Sequence, residues 1–241
     1  MLQGQVAIIT GGAKGIGRYI AHGCAREGAK VAIADVDEAR MSQTADELGA
    51  LGAQVLAVPT DVRDEEAVRR LMARVAGHFG QIDVLVNDAA IVPHFAWGVP
   101  RWAPIRAMEK DFWDRVIQTN LGGTFLCTKH VLPYMEARRS GHIINLHGGG
   151  SGPGACPYVV TKEALVTFTK MVAEEVREAN ICVVILSPGG AIATEDAPEE
   201  ARRRMQGPEL AGNRFWLAAE APMEQSGHLL TLEDGRLEIE A

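Results

Sequence analysis

Val6-Ala7-Ile8-Ile9-Thr10-Gly11-Gly12-Ala13-Lys14-Gly15-Ile16-Gly17 is the stretch on which the fold turns. Val6–Thr10 is an almost wholly apolar run of strand length, and a glycine-rich turn follows it at once. Beyond the turn Ile16, Ile20 and Cys24 recur at four-residue spacing up to Gly28, which marks one face of a helix. A turn that leaves a strand and opens a helix points free N–H groups and the positive helix end at whatever lies in front of it. Such a turn favours a phosphate. Gly11 and Gly17 let backbone and ligand approach where a Cβ would intrude.

The alternation continues along the chain. Val31–Asp35, Val55–Val58, Ile82–Val86, His142–Leu146, Ile181–Leu186 and His228–Leu232 are further strand-length apolar runs. Between them Val68, Leu71, Met72, Val75 and Phe79 mark a helix face stopped by Gly80, and helical segments are expected near 109–132 and 158–178. Strands apolar on both faces, alternating with helices, imply a parallel sheet covered on both sides. Right-handed crossovers then give a doubly wound α/β fold. No Ser/Gly-rich linker interrupts the pattern, so residues 1–241 are expected to form one domain.

Composition narrows the function classes. An apolar fraction of 47% excludes disorder, and a net charge of −7 without a basic stripe argues against nucleic acid as a partner. No uncharged apolar run reaches the length, about 18 residues, that a membrane span needs. The start, Met1-Leu2-Gln3-Gly4-Gln5, enters a strand directly, so no signal peptide is expected. Cys24, Cys127, Cys156 and Cys182 are far apart, which fits reduced thiols in a cytoplasmic protein without a structural metal.

Asp35 closes the second strand. An acid there can accept hydrogen bonds from both ribose hydroxyls of a dinucleotide and repels a 2′-phosphate, which favours NAD over NADP. Lys14, a cation in the turn, is the counterweight.

The GGAKGIG spacing resembles the TGxxxGxG fingerprint of the short-chain dehydrogenase/reductase family, and further motifs follow in the family's order. Asp61-Val62 resembles the adenine-contacting Asp-Val pair. Asn87-Asp88-Ala89-Ala90 resembles the Asn-Ala-Gly motif with Asp88 inserted and alanine for glycine. Asn120 sits in the helix before the fifth strand, Tyr158-Val-Val-Thr-Lys162 matches YxxxK, and Pro188-Gly189 follows the sixth strand. The resemblance covers nearly the whole chain. It implies a Rossmann fold, a nicotinamide cofactor touched by Gly11, Lys14, Gly15, Ile16, Gly17, Asp35, Asp61, Val62, Asn87, Ala89, Tyr158, Lys162, Pro188, Gly189 and Thr194, and catalysis by Tyr158, Lys162 and Asn120.

Tyr158 and Lys162, four apart, share a helix face. A phenol, with an unperturbed pKa of about 10, is a poor base at neutral pH. A neighbouring ammonium and an oxidised nicotinamide are expected to lower it, so that Tyr158 exchanges a proton with a substrate oxygen while hydride moves to or from the nicotinamide. By resemblance Asn120 would hold a water that links Lys162 to solvent. The family's serine is missing: Asn145-Leu146-His147-Gly148 places Gly148 at its position. Three readings stand. Ser151 is carried back into place by the glycine loop, His147 supplies the donor, or none does and Gly148→Ser raises the rate.

Two segments depart from the family at the substrate end. Residues 92–105 are longer than usual and carry Phe95, Trp97 and Trp102, stiffened by Pro93, Pro100 and Pro104. This loop either walls an apolar substrate pocket or packs against a neighbouring subunit. His94, Arg101 and Arg106 are its cations. The segment after Pro188-Gly189 is shortened, and EDAPEEARRR (195–204) reads as a short charged helix.

The chain therefore reads as an NAD-dependent oxidoreductase acting on a secondary alcohol or ketone, a homodimer or homotetramer paired through the helices near 109–132 and 158–178. A relative that binds NAD with little or no turnover, and an enzyme that uses the cofactor for elimination or epimerisation, are the two other readings.

Overall fold

The structure, a computed structural model, describes residues 1–92, 102–150, 153–208, 215–233 and 236–240. Eight strands, β1 (Val6–Thr10), β2 (Lys30–Asp35), β3 (Val55–Pro59), β4 (Val84–Asn87), β5 (Gly141–Leu146), β6 (Ile181–Ser187), β7 (Leu229–Glu233) and β8 (Arg236–Ile239), form one sheet in the order β3-β2-β1-β4-β5-β6-β7-β8. All neighbouring pairs are parallel except β7–β8.

Period-two alternation sends each strand's apolar side chains into two separate cores. Ala7, Ile9, Val31, Ile33, Val84 and Val86 pack on one face against Ile20 and Cys24 of α1 (Gly15–Arg26) and Met41 and Leu48 of α2 (Glu38–Ala50). Val6, Ile8, Ala32, Leu85 and Ile143 pack on the other against α3 (Glu65–Phe79), α5 (Gly123–Arg138) and α6 (Cys156–Val176). Each fully buried Ile or Leu contributes roughly 1.5–3 kcal/mol, so two-sided burial holds strands of only four to seven residues in register.

The helix ends follow local rules. Asp64 caps α3 by accepting the Glu66 and Ala67 N–H groups, and Gly80 closes it at φ +85°. Asp37 caps α2 through the Arg40 N–H. The start of α1, by contrast, has no side-chain cap from its preceding residue Lys14. That uncapped end faces the cleft.

Strand order reverses direction between β1 and β4, and in an open α/β sheet the crevice at the carboxyl ends of those strands is where ligands bind. Thr10 ties the two strand ends together. Its hydroxyl accepts the Asp88 and Ala89 N–H groups at 3.1 and 3.2 Å and donates to the Val86 carbonyl.

Three features differ from the sequence reading. β8 was not expected: Arg236-Leu-Glu-Ile alternates polar and apolar residues because it pairs on one side only. The helical segment expected near 109–132 is interrupted. α4 (Lys110–Ile117) and α5 are joined by a π-helical turn at Gln118–Gly122 that contains Asn120. The charged stretch at 195–204 condenses to a single turn, α7 (Glu199–Arg202).

Candidate active site

A cavity of about 880 Å³ opens along the carboxyl edge of the sheet, lined by residues from the turns after β1 through β6. This volume lies within the range of small-molecule sites. Of the residues singled out in the sequence, Gly11, Lys14, Gly15, Ile16, Asp35, Asp61, Val62, Ala89, Tyr158, Pro188 and Thr194 line it. Gly17, Asn87, Gly189, Asn120 and Lys162 stand behind or beside that wall.

The β1–α1 turn is shaped by close backbone contacts. Gly11 has φ +70°, and a Cβ there would come within 2.9 Å of the Ala89 backbone. A Cβ on Gly17 would collide with the Gly11 carbonyl and the Asp88 carboxyl. These glycines let the turn lie against the β4 end. At the open side, Glu195 places its carboxylate on the Gly15 N–H at 2.9 Å. A side-chain anion thus sits on the first turn of α1, the donor set a pyrophosphate would use. A nicotinamide dinucleotide fits this cleft: anion donors at one helix end, and an acid at the end of β2. Asp35 is held in place by accepting the Ala13 and Asp37 N–H groups at 3.1 Å each.

The remaining cofactor-side residues divide by role. Asp61 lines the cleft, but its carboxylate is engaged by the Arg63 guanidinium, whose hydrogen bonds hold it below the usual carboxylate range. Val62 packs against the backbone of Gly123. Asn87 faces inward, donating to Asn145 Oδ1 at 2.9 Å and stapling β4 to β5. Thr194 is buried on the cleft wall.

Tyr158 and Lys162 come from the first turns of α6. Tyr158 is 7% exposed. Lys162 lies beneath it, its Nζ 5.6 Å from the ring centroid and donating to the Leu146 carbonyl at 2.7 Å. Asn120 is held by Ile91 through two hydrogen bonds, and its amide also donates to Thr161.

The electrostatics differ from the expectation of a lowered phenol pKa. Burial pushes Tyr158 well above the usual value, and the Asp88 carboxyl adds to this. Burial also drives the Lys162 pKa down to about 8, which leaves the side chain mostly protonated at pH 7. In the sequence Asp88 stands out only as an insertion in a motif. It is a cleft-lining acid that accepts the Gly17 N–H and is pushed up to about 7, chiefly by burial. Sequence reading missed its role because that role depends on α1, β2 and α6 meeting at one point.

Gly148, the residue that the sequence register sets at the serine position, faces Tyr158. A Cβ there would overlap the Tyr158 hydroxyl. Gly148→Ser would therefore have to displace the Tyr158 hydroxyl before it could add a donor. His147 lies on the cleft wall with its Nε2 buried, 3.8 Å from Glu163, and burial lowers its pKa, so it is neutral at pH 7. Ser151 falls outside the described residues, as do Pro93, His94, Phe95, Trp97, Pro100 and Arg101. Of the loop aromatics, Trp102 packs edge-on against Phe112 at 4.7 Å, and its carbonyl crowds Gly154 just before α6. Among the described residues no three His, Cys, Asp or Glu side chains converge as metal ligands, and no helix is long and apolar enough to cross a membrane.

Comparison with known proteins agrees with this geometry. A family profile described as short chain dehydrogenase matches residues 5–204. The chain is 36% identical over 190 residues to a (2S)-[(R)-hydroxy(phenyl)methyl]succinyl-CoA dehydrogenase subunit of Thauera aromatica, covering 78% of this chain and 73% of that one. It is 34% identical over 206 residues to a 3-oxoacyl-[acyl-carrier-protein] reductase of Thermotoga maritima, covering 83% and 80%. A crystal structure described as a short-chain alcohol dehydrogenase from Sinorhizobium meliloti superposes with a TM-score of 0.84 at 27% identity, covering 95% of each chain.

Proposed function

This chain belongs to the short-chain dehydrogenase family, and from that premise we propose that it is an NAD-dependent oxidoreductase that interconverts a secondary alcohol and a ketone, with the whole chain working as one catalytic domain. The observation that carries this reading is the placement of Tyr158, its hydroxyl at Gly148 on the wall of the cleft and Lys162 directly beneath. When bound, the nicotinamide supplies the hydride donor or acceptor. The protein's own groups do the rest. Tyr158 Oη gives a proton to the substrate oxygen in reduction and takes it back in oxidation. Lys162 holds the positive charge that favours a phenolate, anchored by the Leu146 carbonyl. Asn120 fixes the backbone of Ile91 at the cleft edge and so positions the wall of the substrate site.

Asp35 supports NAD as the cofactor because its carboxylate is held rigidly at the end of β2, where a 2′-phosphate would meet it. Buried free thiols at Cys24, Cys127 and Cys182 fit a reducing, cytoplasmic setting. The residues at Gly148 and Tyr158 also favour a second reading. With no hydroxyl at position 148 and a phenol driven up by burial, a protein that binds NAD and turns over slowly is consistent with the site.

Incubation with NAD and a panel of secondary alcohols, followed by NADH absorbance, tests the proposal. Sustained NADH formation with at least one alcohol is the expected result. Tight NAD binding with no NADH from any of them supports the second reading.

A further inference from the structure

The segment after β6 closes across the mouth of the cleft, and its charges fall on chosen partners. Asp196 Oδ1 lies 2.9 Å from Arg40 Nη1, and Asp196 Oδ2 lies 3.3 Å from Lys14 Nζ. One carboxylate thus binds the cation of the phosphate-binding turn and the cation at the start of α2, from a position 156 residues beyond Arg40. Arg40 leans also on Asp37, 3.6 Å away. Asp35 sits in the same cluster, its Oδ2 on the Ala13 N–H beside Lys14. All of these side chains are partly exposed, so the pairs contribute little to folding. Their effect falls on the charge met by whatever enters beside Asp35. Lys14 and Arg40 against Asp35, Asp37, Glu195 and Asp196 make two positive and four negative charges, net −2; without Asp196 the net is −1, Lys14 loses this ion pair and Arg40 keeps only Asp37.

A 2′-phosphate is a compact anion that a lysine and an arginine together would grip strongly. We infer that Asp196 is a specificity-determining residue for the cofactor, pairing Lys14 and Arg40 across the mouth of the cleft and so withholding from a 2′-phosphate the two cations that would bind it. The inference rests on the reading that a dinucleotide lies in this cleft with its adenosine ribose at Asp35. Asp35 repels the extra phosphate, and Asp196 removes its compensating partners.

Direct titration of NADH and NADPH into the wild type, Asp196→Asn, and the triple variant Asp196→Asn/Lys14→Ala/Arg40→Ala tests this without turnover. The wild type should prefer NADH. Asp196→Asn should tighten NADPH about five- to tenfold at low salt and leave NADH within about twofold, with the gain shrinking as salt screens the exposed cations. The triple variant should lose that gain. An unchanged NADPH-to-NADH ratio in Asp196→Asn, or a gain that survives in the triple variant, overturns the inference while a wild-type preference for NADH leaves the NAD reading standing. A wild type that binds NADPH as tightly as NADH, or neither of them, overturns both.

Discussion

The hydroxyl of Tyr158 stands in the space that a Cβ on residue 148 would need. With no side chain at position 148, the tyrosine hydroxyl comes up against the backbone there. Position 148 and Tyr158 are therefore one unit: whatever is added at the first displaces the second. Gly148→Ala is expected to lower kcat about ten- to a hundredfold, because a shift of the reacting oxygen by about 1 Å is costly, while the Kd for NADH stays unchanged. Gly148→Ser is expected to behave alike. Steady-state kinetics on both variants with one accepted substrate check this, and a rate increase in Gly148→Ser would restore the simple view of a missing donor.

Asp88 makes stability depend on pH in a direction opposite to a paired surface acid. Its folded pKa of about 7 lies above its ordinary value of 3.8. Between those values the folded protein holds a proton that the unfolded chain has lost, so this group's contribution is complete below about pH 4 and declines as pH rises through 7. Asp88→Asn removes that dependence and avoids burying a charge. It should therefore gain roughly 2–4 kcal/mol on the wild type between pH 4.5 and pH 8. Urea unfolding of both proteins at the two pH values isolates the term, since every other group is common to them. Parallel curves would show that Asp88 is ordinarily ionised in the fold.

Thr10 offers a stability test of the crevice itself. Thr10→Val keeps the shape but leaves the Asp88 and Ala89 N–H groups without their acceptor. Each unpaired donor costs about 1–3 kcal/mol, so a loss of roughly 2–6 kcal/mol is expected in denaturant unfolding. Cofactor affinity should weaken with it, because the same bonds hold the β4 end beside the phosphate turn. A loss below about 0.5 kcal/mol would mean that these N–H groups find other partners.

Much of the fold was legible because burial on both faces forces apolar runs. β1, β2 and β6 are read correctly to within a residue from Val6–Thr10, Val31–Asp35 and Ile181–Leu186. β8 was not, since an edge strand with Arg236 and Glu238 outward has no such run. The π-helical turn at Asn120 leaves no compositional trace, because one extra residue in a helical turn does not alter which residues are apolar. Tyr158 and Lys162 stood out through the resemblance to the family's YxxxK motif, not through spacing alone. The site's other charges did not. Asp88 and Lys162 act on each other through their charges, and Asp196 pairs with Lys14 and Arg40, between elements far apart in sequence, and no local pattern encodes such a meeting.

Oligomeric state follows from which apolar side chains the fold leaves outside. Phe125 on α5 and Val160 and Met171 on α6 are each nearly half exposed. β8, meanwhile, covers the edge of β7 with a polar strand. Pairing through α5 and α6, without a second interface at the sheet edge, is expected to give a homodimer. Light scattering at micromolar concentration should report twice the chain mass, and Phe125→Asp should shift it toward the monomer. A tetramer would show that β8 is itself an interface.

The central claim is that Tyr158 moves the proton. The decisive comparison measures turnover of one accepted alcohol with NAD, and NADH binding, in the wild type and Tyr158→Phe side by side. The account predicts that kcat falls at least about a hundredfold, the lower bound for loss of a general acid–base group, while the Kd for NADH changes less than about twofold, since the phenylalanine keeps the ring and loses only the transferable proton. Turnover in Tyr158→Phe within about threefold of the wild type would contradict it.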